Sequence, residues 1–421
     1  MVLALILFAL TYILLLVLPD YRYLIALCSA AVFILTGILP AQNALGAINW
    51  NVIMMLAGTM IVVQLFIESR MPARLSEWLL TVVPNVCWAV VALSLFAGFI
   101  SAFVDNVATV LMVAPIGLSV AKQLNINPVP VIISIAVSSN LQGAATLVGD
   151  TTSILLGSYL NMNFNDFFYM LGKPGICLAV ELGAVATVFV LLWLFRKEKQ
   201  HVDTEVTTVV TDYVPSVLMV GTVVLLIAAS MLKSKPELTN GYICMALALI
   251  GTVRACIKER SYSACIRMLK SVDFQTLLLL SGLFMVIEGI TQAGVIDAIA
   301  QLFVKIAGTS VFGIYTLIVF TSVVLSAFID NIPYVATMLP VVTGIASLMG
   351  VPPYLFAFGL LSGATLGGNL TPVGASANIA GIGILQKDGY EVSTRDFMRI
   401  GIPFTLVAVM VGYVTLWVIW G

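Results

Sequence analysis

Residues 101–106 read SAFVDN, and residues 326–331 read SAFIDN. The two stretches differ at one position and are offset by 225 residues. Each sets an aspartate and an asparagine inside long apolar sequence, in a chain of 421 residues that is 61% hydrophobic and 9% charged. Soluble domains carry about 25% charged residues. Repeated apolar runs near twenty residues long therefore imply an all-α polytopic membrane protein, because about 20 apolar residues span the hydrocarbon core. A net charge of −1 leaves no electrostatic footprint for nucleic acid. Cys28, Cys87, Cys177, Cys244, Cys256 and Cys265 are scattered, with no CxxC pair, so neither a disulfide frame nor a metal site is expected. The single histidine, His201, falls in a polar loop. GxxxxGK[ST], HExxH and GxSxG are all absent, which argues against ATP hydrolysis within the chain and against an enzyme.

Working outward, ten crossings can be drawn: 2–18, 22–39, 50–69, 129–162, 173–195, 214–232, 241–257, 272–290, 353–386 and 400–420. The first lacks the basic flank and cleavage site of a signal peptide and reads as a membrane helix. Crossings 129–162 and 353–386 are too long and too glycine-rich to be simple helices. The stretches 87–122 and 311–349 are broken at their centres by the Asp-Asn pairs and read as re-entrant hairpins. Irregular backbone at membrane depth survives only where protein or water covers it. With that topology, one side collects fifteen Lys and Arg: 22, 70, 74, 122, 196, 197, 199, 254, 258, 260, 267, 270, 387, 395 and 399. The other collects four, Lys173, Lys233, Lys235 and Lys305. The basic side is expected to be cytoplasmic, which puts both termini outside a prokaryotic-type inner membrane.

The 225-residue offset extends beyond the tips. Pro115 matches Pro340, Pro128 matches Pro353, Gly143 matches Gly368, and Val148-Gly149 matches Val373-Gly374. Upstream the register loosens by one, so Ala57-Gly58 faces Ser281-Gly282. We therefore expect two halves, 1–195 and 214–421, joined by a cytoplasmic linker at 196–213. Each half holds five crossings and one hairpin, and the odd number makes the repeat inverted. Scaffold and transport domains would each draw on both halves. Interrupted helices at matching places in such repeats point to a transporter's binding site.

Four segments should meet at that site. Two are the tips at Asp105-Asn106 and Asp330-Asn331; two are the breaks SSNLQGAATLVGDTTS (138–153) and SGATLGGNLTPVGASAN (362–378). Gly149 and Gly374 let the backbone leave the helix. An ionisable group at bilayer depth costs at least about 2.5–3.5 kcal/mol, so Asp105, Asp150 and Asp330 are expected to hold sodium or protons. The plainer alternative is that they cap half-helices; both roles can coexist. Asn106 and Asn331 donate and accept. Asn140, Thr146, Thr151, Ser153, Asn369, Thr371, Ser376 and Asn378 add neutral oxygens and amides. Glu181 and Glu288 lie in regular helices without basic neighbours, and Glu68 reads as a pair with Arg70. No Arg or Lys is expected near the site.

At these residues the chain resembles a known group. SAFIDNIPYVATMLP with GATLGGNLTPVGASAN, and SAFVDNVATVLMVAPI with GAATLVGDTTSILLG, are similar to the ArsB/P-protein branch of the ion transporter superfamily, with its citrate-transporter-like domain. The resemblance implies opposed hairpins, ion sites lined by Gly149 to Ser153 and Gly374 to Asn378, and a dimer working by an elevator movement. Dicarboxylate symporters of the superfamily carry Ser-Asn-Thr at the tips, where this chain has Asp-Asn-Val and Asp-Asn-Ile. Gly149-Asp150-Thr151-Thr152-Ser153 is nearer the NhaD antiporter type.

The expected function is secondary transport of an inorganic ion or a small oxyanion or hydroxide such as arsenite, coupled to sodium or protons, with no other cofactor. A sodium-coupled di- or tricarboxylate symporter and an anion channel are the alternatives. The expected partners are the small ion, the bilayer and a second copy, with an ATPase partner left open. If both termini lie outside, alkaline phosphatase fused after Gly421 is active in intact bacteria and a green fluorescent protein there stays dark; the reverse pattern inverts the topology.

Overall fold

The computed structural model describes residues 1–202, 206–232, 236–308 and 310–421. Part of the expected linker, 203–205, and two of the four minority-side lysines, Lys233 and Lys235, lie outside those residues. Apart from a short antiparallel ladder, Tyr169–Met170 with Lys173–Pro174, the regular structure described is helical.

Among the described residues, each half carries ten α-helices in matching order. The pairing between halves is exchanged: helix Trp50–Glu68 packs along Thr239–Glu259, and its counterpart Phe274–Gln292 packs along Arg22–Leu35. Both contacts close on a small residue. A Cβ on Gly58 would lie 2.5 Å from the Cys244 carbonyl carbon, and one on Gly282 would lie 2.6 Å from that of Ala26. Without a hydrophobic drive between helices in lipid, such close approach is what holds them together. The counterpart helices Ile176–Leu194 and Thr394–Trp420 run in opposite directions. Gly183 faces Ala408, while Trp420 Nε1 donates to the Pro174 carbonyl oxygen at 3.0 Å.

The Asp-Asn breaks turn their stretches back. In the second half, Gly359 lies against Tyr315, Gly363 against Val319 and Gly367 against Val323. Helix Val311–Ser326 therefore runs parallel to Tyr354–Gly367, and the intervening Asn331–Met349 runs opposite. In the first half, Gly98 meets Gln142, Asn106 meets Asn140, and Gly117 meets Val131 and Ile135, so both arms lie along Pro128–Gly143. Each second arm starts on a capped end. Asp105 accepts from the amides of Val107 and Ala108 at 3.1 and 3.4 Å, and Asp330 from Ile332 at 3.2 Å. A side-chain cap satisfies donors that have no helical partner. The two glycine-rich crossings also split as expected, into Pro128–Gly143 with Thr151–Tyr159 and Tyr354–Gly367 with Ser376–Lys387.

Seven helices among the described residues are long and apolar enough to cross, or up to nine if each of two sharply bent pairs is one span. Val2–Val17 and Arg22–Leu35 have only 16 and 14 residues and meet at 117°. At 1.5 Å per residue they reach about 24 and 21 Å, short of the ~30 Å core. Pro19 stops the first by removing a donor and restricting Leu18. Glu68 also has a different partner from the one expected: Arg267 donates to it at 2.8 Å, where Arg70 does not. Glu288 accepts from Gln292 at 2.7 Å. The linker is tied down at its ends. Glu198 and Gln200 carbonyls accept from Cys87 and Val86, and hydrogen bonds from Arg254 and Lys258 hold the Asp212 carboxyl well below the usual carboxylate range.

Overpacking a tight contact costs about 1–3 kcal/mol, sometimes more. Gly58→Val and Gly282→Val are therefore expected to lower the melting temperature in detergent, while Gly46→Val and Gly383→Val, with nothing within 4 Å of the new Cβ, leave it within a degree or two. Equal melting across the four would refute the close-packed pairing.

Candidate functional site

A cavity of about 480 Å³ lies between helix Trp50–Glu68 and the tip of the first hairpin. Of the residues singled out in the sequence, Asp105, Asn106, Asp150, Thr151, Asn331 and Ser376 line it. The facing helix adds Thr59 and Gln64 among apolar Leu56, Met60 and Val63. Ser271, Asp273 and Thr276 also line it, and Asp273 is exposed. No Lys or Arg lines the wall, while three aspartates do. Asp150 is 2% exposed; its carboxylate accepts from Thr152 Oγ1 at 2.8 Å and from Asn331 Nδ2 at 3.2 Å. The acid of the first break is thus bonded to the tip of the second hairpin.

The sequence reading missed Asp273, but the repeat contains the signal. In the loosened register Asp273 matches Asn49, and both cap the helix that follows: Asp273 accepts from Thr276 N at 3.1 Å and Asn49 from Val52 N at 3.2 Å.

Other singled-out residues bond to one another behind the cavity. Asn140 Oδ1 accepts from Asn106 Nδ2 at 2.9 Å, and Asn140 Nδ2 donates to Asn369 Oδ1 at 2.7 Å and Asn378 Oδ1 at 2.9 Å. Asn369 Nδ2 goes on to the Val137 carbonyl, and Asn378 Nδ2 to the carbonyls of Gly368 and Thr371. Asn140, Asn369 and Asn378 are fully buried. Their amide hydrogens are largely committed within the protein, so they hold the breaks in register. Thr146 and Thr371, equivalent by the repeat, donate to the carbonyls of Ala102 and Ala327 and fasten each break to its own hairpin. Ser153 Oγ donates to the Gly143 carbonyl at 3.2 Å.

The expectation that no basic residue approaches the site is overturned. Arg22, at the start of a helix on the far side of the sequence, reaches Asp330 with Nη1 3.0 Å from Oδ2. Ser376 Oγ donates to the same oxygen at 2.9 Å. In sequence Arg22 looked like one more basic loop residue; the short helices around Leu18-Pro19 turn it inward instead.

The glycines of both breaks sit where no side chain fits: a Cβ on Gly374 would lie 2.6 and 2.9 Å from the carbonyl oxygens of Gly368 and Ala327. A Cβ on Gly149 would lie 2.6, 2.7 and 2.8 Å from the carbonyl oxygens of Gly143, Ser101 and Ala102. Only glycine fits there. Beside it, Ser101 Oγ is buried with no hydrogen-bond partner. Among the described residues no cluster of three His, Cys, Asp or Glu would hold a transition metal.

Fold and site together define a membrane transporter. The sequence matches the citrate transporter family, CitMHS, over residues 6–361 and again over 263–421, and the chain belongs to that family within the ion transporter superfamily. It is 31% identical over 407 residues to an uncharacterized transporter, Rv2685, of Mycobacterium tuberculosis, covering 93% of this chain and 92% of that one. It is 26% identical over 445 residues to the P protein of Homo sapiens, covering 87% of this chain and 53% of that one. Among solved structures it is similar to the YdaH transporter of Alcanivorax borkumensis, at a TM-score of 0.61 and 14% identity over 99% of this chain and 96% of that one. A second is MtrF of Neisseria gonorrhoeae, from a class of antimetabolite efflux pumps, at 0.58 and 14% over 92% and 83%. These two likenesses concern the fold.

Leaving a buried polar group unpaired costs about 1–3 kcal/mol. Asn140→Ala frees Asn106, Asn369 and Asn378 together, so its melting temperature should fall by more than that of Thr59→Ala on the cavity wall. A smaller fall for Asn140→Ala would remove the network from its structural role.

Proposed function

We propose that this chain is a secondary active transporter of an inorganic ion, or a small oxyanion or hydroxide such as arsenite, coupled to sodium or protons. One observation carries the reading: the cavity is lined by Asp105, Asp150 and Asp273 and by neutral oxygens and amides, without a lysine or arginine. A bare anion would face uncompensated carboxylates there. A cation, or an uncharged hydroxide that donates hydrogen bonds, matches them.

The cavity ends beside helix Ser263–Ser271, which bears Arg267 and Lys270. By the positive-inside bias that side is cytoplasmic, so this conformation is inward-open, with both termini outside. Opposed counterpart helices support an inverted repeat of two hairpins and two broken helices around one midplane site. Cargo then crosses by an elevator-type movement of the hairpins and breaks, which a homodimer would anchor. Asp105 and Asp150, which share the cavity wall, bind the coupling cation.

A second reading, sodium-coupled di- or tricarboxylate symport, draws on the description of the family and on the half-helices that begin at Asn106, Thr151 and Ser376 by the cavity. Helix N-termini favour anions. Citrate or succinate that raises the melting temperature only with sodium would select it. Single-channel currents instead would select an anion channel.

The main test is uptake in proteoliposomes, with arsenite and a panel of small ions, under imposed sodium or proton gradients. Losing a charged partner costs about 1.5–3 kcal/mol. Asp105→Asn and Asp150→Asn should each reduce gradient-driven flux by roughly 10- to 100-fold. Undiminished flux in both removes the assignment.

A further inference from the structure

We infer that Arg22 is a built-in cation for the second half of the site, so that only the first half takes a dissociable one. This rests on the reading above for the first half, and follows from comparing repeat-equivalent groups.

At the first tip, Asp105 caps its helix and pairs with no Lys or Arg among the described residues. At the second, Asp330 caps its helix in the same way but also carries Arg22, at 3.0 Å, and Ser376, at 2.9 Å. The charge of the two breaks differs too: Asp150 in the first stands where the second has Ala375. The tip serines part in the same direction. Ser101 Oγ is buried and unpartnered, whereas Ser326 Oγ donates to the Ala364 carbonyl. The first half thus offers two carboxylates and an open hydroxyl without a resident cation. The second offers one carboxylate, already matched, and a hydroxyl already used.

The guanidinium is held on both sides. Arg22 Nε also donates to the Leu15 carbonyl at 3.3 Å, and Tyr12, from the same bent pair of helices, donates to the Pro333 carbonyl at 2.7 Å and meets Thr337. The bent pair Val2–Val17 and Arg22–Leu35 is therefore fastened to the second hairpin at three positions, residues 330, 333 and 337. The counterpart contacts, Gly58 on Cys244 and Gly282 on Ala26, match Arg22 with the neutral Asn240 at the start of helix Thr239–Glu259, so the first hairpin receives no such charge. An arginine cannot lose its proton or leave, so it neutralises Asp330 without drawing on a cation from either side of the membrane.

Sodium titration of the melting temperature of the full chain in detergent, at fixed pH and with choline balancing ionic strength, tests this. Arg22→Gln should add a second sodium dependence to that of the first half, doubling the limiting slope of melting temperature against log sodium if the first half binds one ion. Arg22→Lys, and the double variant Arg22→Gln with Asp330→Asn, should each keep the original slope. An unchanged slope in Arg22→Gln overturns the inference. If the unaltered protein shows no sodium dependence while Arg22→Gln gains one, the inference stands and the first-half cation reading fails. Should Arg22→Gln not fold, Asp330→Asn serves alone: the sodium response should persist, and its loss would overturn the inference.

Discussion

One side chain carries the joint between the halves. Asn140 sits at the end of the first broken helix and bonds at once to the first hairpin and to two segments of the second half, through Asn106, Asn369 and Asn378. Unwound backbone within a membrane is viable only when its polar groups find partners in the protein. Here the asparagine amides and the paired threonines, Thr146 and Thr371, provide those partners, and that frees the tips to face the cavity. Were the network absent, the breaks would have to close into continuous helices, and no polar surface would remain for cargo.

The tips and breaks were legible because an aspartate or a glycine-rich run inside apolar sequence has few explanations, and seeing each twice left fewer. SAFVDN and SAFIDN give the arms of both hairpins almost to the residue. What each polar residue does was harder to read. Asn140 and Asn106 look alike in sequence, yet one is bonded on every side behind the cavity and the other lines it. Long-range partners were not legible at all: Arg267 meets Glu68 across 199 positions, and Arg22 meets Asp330 across 308. Hydropathy likewise registers apolar length and not the bend at Leu18-Pro19.

Two-fold repetition and local asymmetry have separate uses in this structure. The repeat supplies the same scaffold to both sides of the site, down to matching threonine fasteners. Single-residue departures then set the charge. Asp150 against Ala375, and Arg22 against Asn240, give the halves different electrostatic character on nearly the same backbone.

The exchanged helix pairing has a consequence for how the chain is made. Helix Arg22–Leu35 finds its close-packed neighbour in Phe274–Gln292, about 250 residues later. At about 5–20 residues per second, a ribosome needs roughly 13–50 s to deliver that neighbour. Throughout that interval a short helix, with Arg22 at its end and its acid not yet synthesised, must wait at the insertion machinery or the membrane surface. Biogenesis of this protein therefore passes through a late, all-at-once closure, in which the second half completes the first.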